Sequence, residues 1–207
     1  MDFRLSTDQD ILRDSVRSFA EKEIKPVAAD LDKQETFSYE TMQKMAELGL
    51  FGVFVSEKYG GQAMDYLSYI IAVEEIARVD GSHAATVAAE NSLGIGPLYY
   101  FGNEDQKKKY LPKLCSGEAL WGFGLTEANA GSDAGGVETW AVDNGEAFVL
   151  NGTKIFVTNG GVCSTVLVFA VSEDRGKPRA GVFIVDKGCP GFSVGEIEDL
   201  CGMRANP

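Results

Sequence analysis

The sequence has a single histidine, His83, and four cysteines, Cys115, Cys163, Cys189 and Cys201, with no two of them forming a CxxC pair. That scarcity argues against a Cys/His metal centre or a disulfide framework, and a reducing cytoplasm is the simpler setting. No HExxH, GxSxG or P-loop lysine motif occurs, and His83 lies in "DGSHAAT" with no nucleophile motif beside it, so a Ser–His–acid hydrolase finds little support. "GFG" (122–124) and "NGG" (159–161) do not amount to a dinucleotide fingerprint. Basic residues are also in short supply. Nineteen Lys and Arg stand against 31 Asp and Glu, for a net charge of −12, and such a surface repels a phosphate backbone, which excludes nucleic acid as an expected partner. The run "KKK" (107–109) reads as a solvated helix face. No apolar stretch reaches the roughly 18 residues of a membrane span, and the start "MDFRLSTDQD" is unlike a signal or transit peptide.

Two textures are present. Up to about residue 114 the pattern is helical. "STDQ" (6–9) reads as a capping box ahead of Leu12, Val16, Phe19, Ala20, Ile24 and Val27, with Pro26 expected to kink or stop that helix. Met42, Met45 and Leu48 mark a second helix, closed by Gly49. "EKYGGQ" (57–62) is a turn-rich loop, and residues 64–79 form a third helix with Leu67, Ile70, Ile71, Glu74 and Ala77 near one face. Residues 82–100 suit a closely packed helix limited by Gly94, Gly96 and Pro97. Residues 103–114 follow from a cap at Asn103 with Gln106 three positions on.

After "CSGEA" (115–119) the period becomes strand-like. Residues 137–160 hold turn signals at 143–145 and 151–152. "TVLVFAV" (165–171) and "AGVFIVD" (180–186) read as strands joined by the polar "SEDRGKPR" (172–179), and "GFSVGEI" (191–197) as another. The expected fold is α+β: an all-α domain over 1–117, then a β domain over 118–207 in meander order, an antiparallel β-barrel-like unit. Residues 119–197 are expected to be mainly β.

Between the strand-like tracts lies "LTEANAGSD" (125–133), a polar loop with no room for a helix. Hydroxyls and backbone N–H groups there can bind an anion or the edge of a heterocycle. Thr126 and Thr158 each end a strand-like stretch, so together they can hold one flat polar ring, with Trp121, Phe123 and Phe156 as apolar walls. The same residues also suit ordinary turns.

The stretches "WGFGLTEANAGSD" (121–133) and "LNGTKIFVTNG" (150–160) resemble the acyl-CoA dehydrogenase family. So do "AELGLFGVFVSEKYGG" (46–61), "VEEIAR" (73–78), "FGNEDQKKKYLPKLCSGE" (101–118) and "VDKGCPGFSVG" (185–195), in family order across nearly the whole chain and closest in flavour to butyryl-CoA dehydrogenases. The resemblance implies FAD as cofactor and α,β-dehydrogenation of a short-chain acyl-CoA to the trans-2-enoyl-CoA, with hydride passing to flavin N5. It places Phe123 and Leu125 along the flavin, Thr126 at its pyrimidine side, Phe156 beside the isoalloxazine and Thr158 at N5. Ser132 falls near the FAD pyrophosphate and the thioester arm of the substrate. Ala128 stands where the family usually has proline. The resemblance further implies a C-terminal helical domain, which supplies the glutamate base; this sequence stops at Pro207 before any such segment, so the 207 residues alone are expected to bind FAD weakly and to be inactive. Implied partners are an electron-transfer flavoprotein and further copies of the chain, as a homodimer or homotetramer. Two alternatives stand: an acyl-CoA oxidase or flavin monooxygenase of the same superfamily, and a non-catalytic subunit that needs a partner chain.

Overall fold

The computed structural model describes residues 4–174 and 176–207. The expectations that touch residues 1–3 and Arg175 lie outside the described residues.

Helix α1, Thr7–Phe19, starts at the expected capping box: the Ser6 hydroxyl accepts from the Gln9 backbone N–H, and the Gln9 side chain accepts from the Ser6 N–H. Pro26 does not stop the helix. A π-helical turn over Ala20–Ile24 precedes it, with the Lys25 N–H reaching back to the Ala20 carbonyl, and α2, Lys25–Gln34, follows. Proline therefore sits in the first turn of α2, where its missing donor costs least. Helix α3, Tyr39–Glu47, buries Met42 and Met45 and ends before Gly49, whose φ of 79° needs a residue without a Cβ.

Helix α4, Tyr66–Ala77, turns a different face inward from the one expected. Of the expected face Ile71 is buried, but Leu67 and Ile70 are about half exposed, while Tyr69, Ala72, Glu75 and Ile76 are buried. The helix is apolar nearly all round, so hydrophobic periodicity alone does not orient it. Charge does: Glu75 is buried and accepts from Arg17 of α1 at 2.7 Å and from Arg78 at 2.8 Å. Helix α5, Gly81–Ala89, runs through a second π turn, Glu90–Ile95, into α6, Gly96–Phe101. Helix α7, Glu104–Cys115, begins at the Asn103–Gln106 capping box and buries Leu111 and Leu114 completely. The α1, α4 and α5 helices pack in sequence. Their core includes Val16, Ile24, Leu50, Phe51, Ile76 and Val87, each fully buried and contributing about 1.5–3 kcal/mol. No helix among the described residues is long and apolar enough to cross a membrane.

Five strands follow: β1 Trp121–Gly124, β2 Trp140–Asp143, β3 Phe148–Asn151, β4 Thr165–Asp174 and β5 Lys177–Asp186. They do not form an antiparallel barrel, and the meander order is overturned. The sheet is mixed and open. β1 pairs parallel with the first part of β4, from Trp121 opposite Thr165 to Gly124 opposite Val168, and β2 pairs parallel with the same edge further on, Trp140 opposite Val171. β5 pairs antiparallel along the other edge of β4, and β3 pairs antiparallel with β2. Among the described residues β3 and β5 are not hydrogen-bonded to each other, though the Phe148 and Phe183 rings lie 5.0 Å apart, so the sheet keeps two edges and does not close. Alternating hydrophobicity is the same in parallel and antiparallel strands, which is why the pattern misled about direction.

Two further expectations give way. Most of the connector 172–179 is strand: β4 and β5 extend toward each other, with Gly176 at φ 76° between them. Residues 191–197 form no strand. The five strands accordingly take up less than half of 119–197.

Candidate functional site

Side chains alternate across β1, and the alternation explains its two glycines. A Cβ on Gly122 would lie 2.9 Å from Val157 Cγ1, and one on Gly124 would lie 3.0 Å from Lys154 Cγ. The absence of side chains at 122 and 124 lets residues 154–158 run directly against the strand. Trp121 and Phe123 take the opposite face. Trp121 is buried, with its ring edge-on to Tyr110 at 5.1 Å, so it is not a wall of an open site. Phe123 is half-buried.

The polar loop after β1 is held by a buried ion pair. Lys154 Nζ lies 2.6 Å from Glu127 Oε1, and it also donates to the Leu125 carbonyl at 3.0 Å. The Glu127 carboxylate accepts from the backbone N–H groups of Glu138 at 2.6 Å and Thr139 at 2.9 Å, and from the Thr139 hydroxyl. Burial alone would raise the Glu127 pKa. Lys154, the Thr139 hydroxyl and the two N–H groups outweigh it and hold the carboxyl down at about 2. Reciprocal bonds between Glu127 and Ala130, at 3.0 and 3.1 Å, close a tight turn that leaves Ala128 exposed at its corner.

The Ile155 N–H donates to the Thr126 carbonyl at 2.9 Å, which joins the loop carrying Thr126 to the segment carrying Phe156 and Thr158. Phe156 adopts φ 56° and is 67% exposed, an unusual conformation for a bulky side chain. Asn159, at φ 63°, is fully buried. Its carbonyl accepts from the Val162 and Cys163 N–H groups at 3.0 and 2.7 Å, forming the turn that follows Thr158. Leu125, Thr126 and Thr158 are half-buried, and Ser132 is exposed beyond the 127–130 turn. The hydroxyls of Thr126, Ser132 and Thr158 take part in no hydrogen bond among the described residues. The structure therefore joins the loop carrying Thr126 to the segment carrying Phe156 and Thr158, with Thr158 itself alongside Gly122. Phe123 lies on the other face of β1, and no hydrogen bond ties Ser132 to either threonine.

The helical part meets β1 through the Trp121 peptide. Its N–H donates to Glu90 Oε2 at 3.0 Å, and its carbonyl accepts from Asn159 Nδ2 at 3.5 Å. Glu90 is wholly buried in the second π turn, and its other oxygen has no partner. Burial pushes its pKa up to about 8, against the smaller opposing effect of the Trp121 N–H. Next to it, Asn91 satisfies every bond its amide can make at short range: Oδ1 accepts from Gly52 and Val53, and Nδ2 donates to Leu50 and Val87. Neither Glu90 nor Asn91 was marked by a motif. A carboxylate and an amide inside the apolar run "AAENSLGIG" are the signal that could have found them. His83 lies apart, buried between Asp80 at 2.6 Å and the Thr41 hydroxyl at 2.8 Å, in a structural role.

A helical layer is joined through one strand to an open mixed sheet, with a loop carrying free hydroxyls and an exposed aromatic in the segment beside that strand. Comparison with known proteins places this arrangement in a family. Residues 6–118 match the acyl-CoA dehydrogenase N-terminal domain and residues 122–207 the acyl-CoA dehydrogenase middle domain. This chain belongs to the acyl-CoA dehydrogenase family. It is 46% identical to a short-chain-specific acyl-CoA dehydrogenase of Clostridium acetobutylicum over 208 residues, covering 100% of this chain and 55% of that protein. Among solved structures, butyryl-CoA dehydrogenase from Megasphaera elsdenii superimposes with a TM-score of 0.93 at 40% identity, covering 100% of this chain and 55% of that one. A glutaryl-CoA dehydrogenase from Mycobacterium smegmatis, solved in complex with FADH2, gives a TM-score of 0.92 at 31% identity, covering 98% and 51%. The chain thus spans about half the length of the relatives it matches.

Proposed function

We propose that these residues serve the α,β-dehydrogenation of a short-chain acyl-CoA, with FAD as the resident cofactor. The observation that carries this reading is that residues 154–158 run against β1, joined to its loop by the Ile155–Thr126 hydrogen bond, with the hydroxyls of Thr126 and Thr158 unused by protein among the described residues. Two neutral donor–acceptor groups beside an exposed aromatic ring fit the mixed polar edge and apolar face of a flavin. When bound, FAD would supply the hydride acceptor. In this reading Thr126 bonds the pyrimidine edge, Thr158 faces N5, and Leu125 and Phe156 give apolar contact; Phe123, on the face of β1 turned away from residues 154–158, is left out of that surface. Ser132, exposed beyond the 127–130 turn, serves the pyrophosphate and the thioester arm.

Removing the α-proton needs a base. Glu127 is not available for that work: four donors from Lys154, Thr139 and Glu138 hold it as a structural anion. Glu90 is enclosed against Trp121. The base is therefore assigned to a carboxylate outside the loop and the junction. The reading also takes residues 1–117 and 118–207 as separate domains, an electron-transfer flavoprotein as acceptor, a homodimer or homotetramer as the assembly and the cytoplasm as the setting.

The test is direct. Titration of the purified chain with FAD, followed by flavin fluorescence, should show saturable binding. Thr158→Val should weaken it about tenfold or shift the flavin potential. Unchanged affinity and potential would remove Thr158 from the site. In parallel, FAD, butyryl-CoA and an artificial electron acceptor should yield crotonyl-CoA when the family's helical C-terminal segment is supplied as a second chain. Robust turnover without that addition would show that a base among these residues has been overlooked.

A further inference from the structure

The segment "MRANP" (203–207) plays no part in the site as described so far, yet it reaches it. Arg204 fixes the segment on α2: its guanidinium pairs with Asp32 at 2.9 Å and Glu35 at 3.4 Å, and its backbone N–H donates to Asp32 at 3.2 Å. Two residues on, the Asn206 amide donates toward three acceptors: the Thr86 hydroxyl of α5 at 2.6 Å, Asn159 Oδ1 at 3.1 Å and, more distantly, the Ser82 carbonyl at 3.5 Å. The donors run consistently outward: Thr86 passes its own proton to the Ser82 carbonyl, and Asn159 Nδ2 donates to the Trp121 carbonyl.

We propose that Asn206 is a positioning residue for the flavin site, holding Asn159, and with it the Thr158 turn, against α5. The argument rests on the function proposed above. Asn159 sits in the left-handed region, which costs an L-residue of this kind free energy unless its surroundings fix it. Its side chain is fully buried, so both amide ends need partners. Asn206 supplies the donor that Oδ1 requires, and Trp121 supplies the acceptor that Nδ2 requires. The Asn159 carbonyl then closes the turn through Val162 and Cys163. Without Asn206, a buried acceptor is left bare at the residue next to Thr158, and the turn loses the side-chain link that runs through Asn206 to Thr86 of α5.

The experiment is hydrogen exchange on the full chain without flavin, together with FAD affinity and the flavin absorption spectrum. Asn206→Ala should speed exchange at the Val162 and Cys163 amides selectively, weaken FAD about fivefold to tenfold and shift the flavin band. Thr86→Val, which removes the acceptor that orients Asn206, should act in the same direction to a smaller extent. If N206A does not fold, Asn206→Asp keeps the shape, sets an acceptor against Asn159 Oδ1 and carries the same expectation. Exchange at 162 and 163 that matches the wild type, or that rises only as much as elsewhere in the chain, overturns the proposal. So does faster exchange with unaltered FAD affinity and spectrum. A wild-type chain that binds no FAD sinks the functional reading instead, and the flavin-free exchange data then decide whether Asn206 orders the turn.

Discussion

Glu127 and Lys154 meet at 2.6 Å in a place where each side chain is only 8% exposed. Buried partners of this kind are costly to separate, because the survivor keeps its desolvation penalty and loses its compensation. Lys154→Met should therefore destabilise the chain by about 3–5 kcal/mol, and the double change with Glu127→Gln by clearly less than the two single changes summed. Urea unfolding of the four proteins measures both quantities.

The same pair sets the acid limb of stability. The folded pKa of Glu127, about 2, lies below its ordinary 4.5. Its contribution is thus complete above 4.5 and is lost as pH falls toward 2. Glu127→Gln should flatten that part of a stability–pH curve. A curve that stays as steep as in the wild type would mean that other carboxylates dominate there.

Glu90 has the opposite sign. Its folded pKa, about 8, lies above its ordinary 4.5, so the folded chain holds a proton that the unfolded chain releases, and stability should fall as pH rises from 4.5 to 8. Glu90→Gln keeps the acceptor for the Trp121 N–H and carries no charge. Its stability relative to wild type should improve steadily across that window, and a constant difference between the two curves would contradict it.

Gly122 faces Val157 closely enough that an added methyl group cannot be absorbed without movement. Gly122→Ala should cost about 1–3 kcal/mol and displace residues 157–158, weakening flavin binding. Gly188→Ala, where nothing lies within 4 Å, is the control and should change stability by less than about 0.5 kcal/mol. Thermal unfolding separates the two.

Asn91→Ala should rank among the most damaging single changes. It strips partners from the Gly52 and Val53 N–H groups and the Leu50 carbonyl inside the core, at about 1–3 kcal/mol for each group left bare. Loss of folded protein at 37 °C, or a large drop in urea midpoint, is the expected result.

The helices were legible because their signals are local. Ser6–Gln9 and Asn103–Gln106 announce their caps within four residues, and both capping boxes form as the sequence suggests. Of the candidate site, the polar loop bearing Thr126 and the segment bearing Thr158 were legible as sequence features. What frames it was not, since Lys154 lies 27 positions from Glu127 and Asn206 lies 47 from Asn159. No periodicity connects such pairs. The sheet failed for a related reason: pairing direction is decided by which distant strand arrives alongside, and "GFSVGEI" has strand-like composition but no partner strand. In α4 the buried ion cluster at Glu75 decided the inward face against the apolar pattern.

β1, β2 and β5 all pair with β4, although β4 is fourth of the five strands in the chain. On a ribosome, which releases the chain from its N-terminus, β1 emerges well before the strand it must join. Only the β2–β3 hairpin can form in the interval, and an isolated hairpin is marginal. The edge of β1 from Trp121 to Gly124 must wait unpaired until β4 has cleared the exit tunnel. Slowing translation just before residue 165 should lengthen that exposure and increase capture of the nascent chain by chaperones.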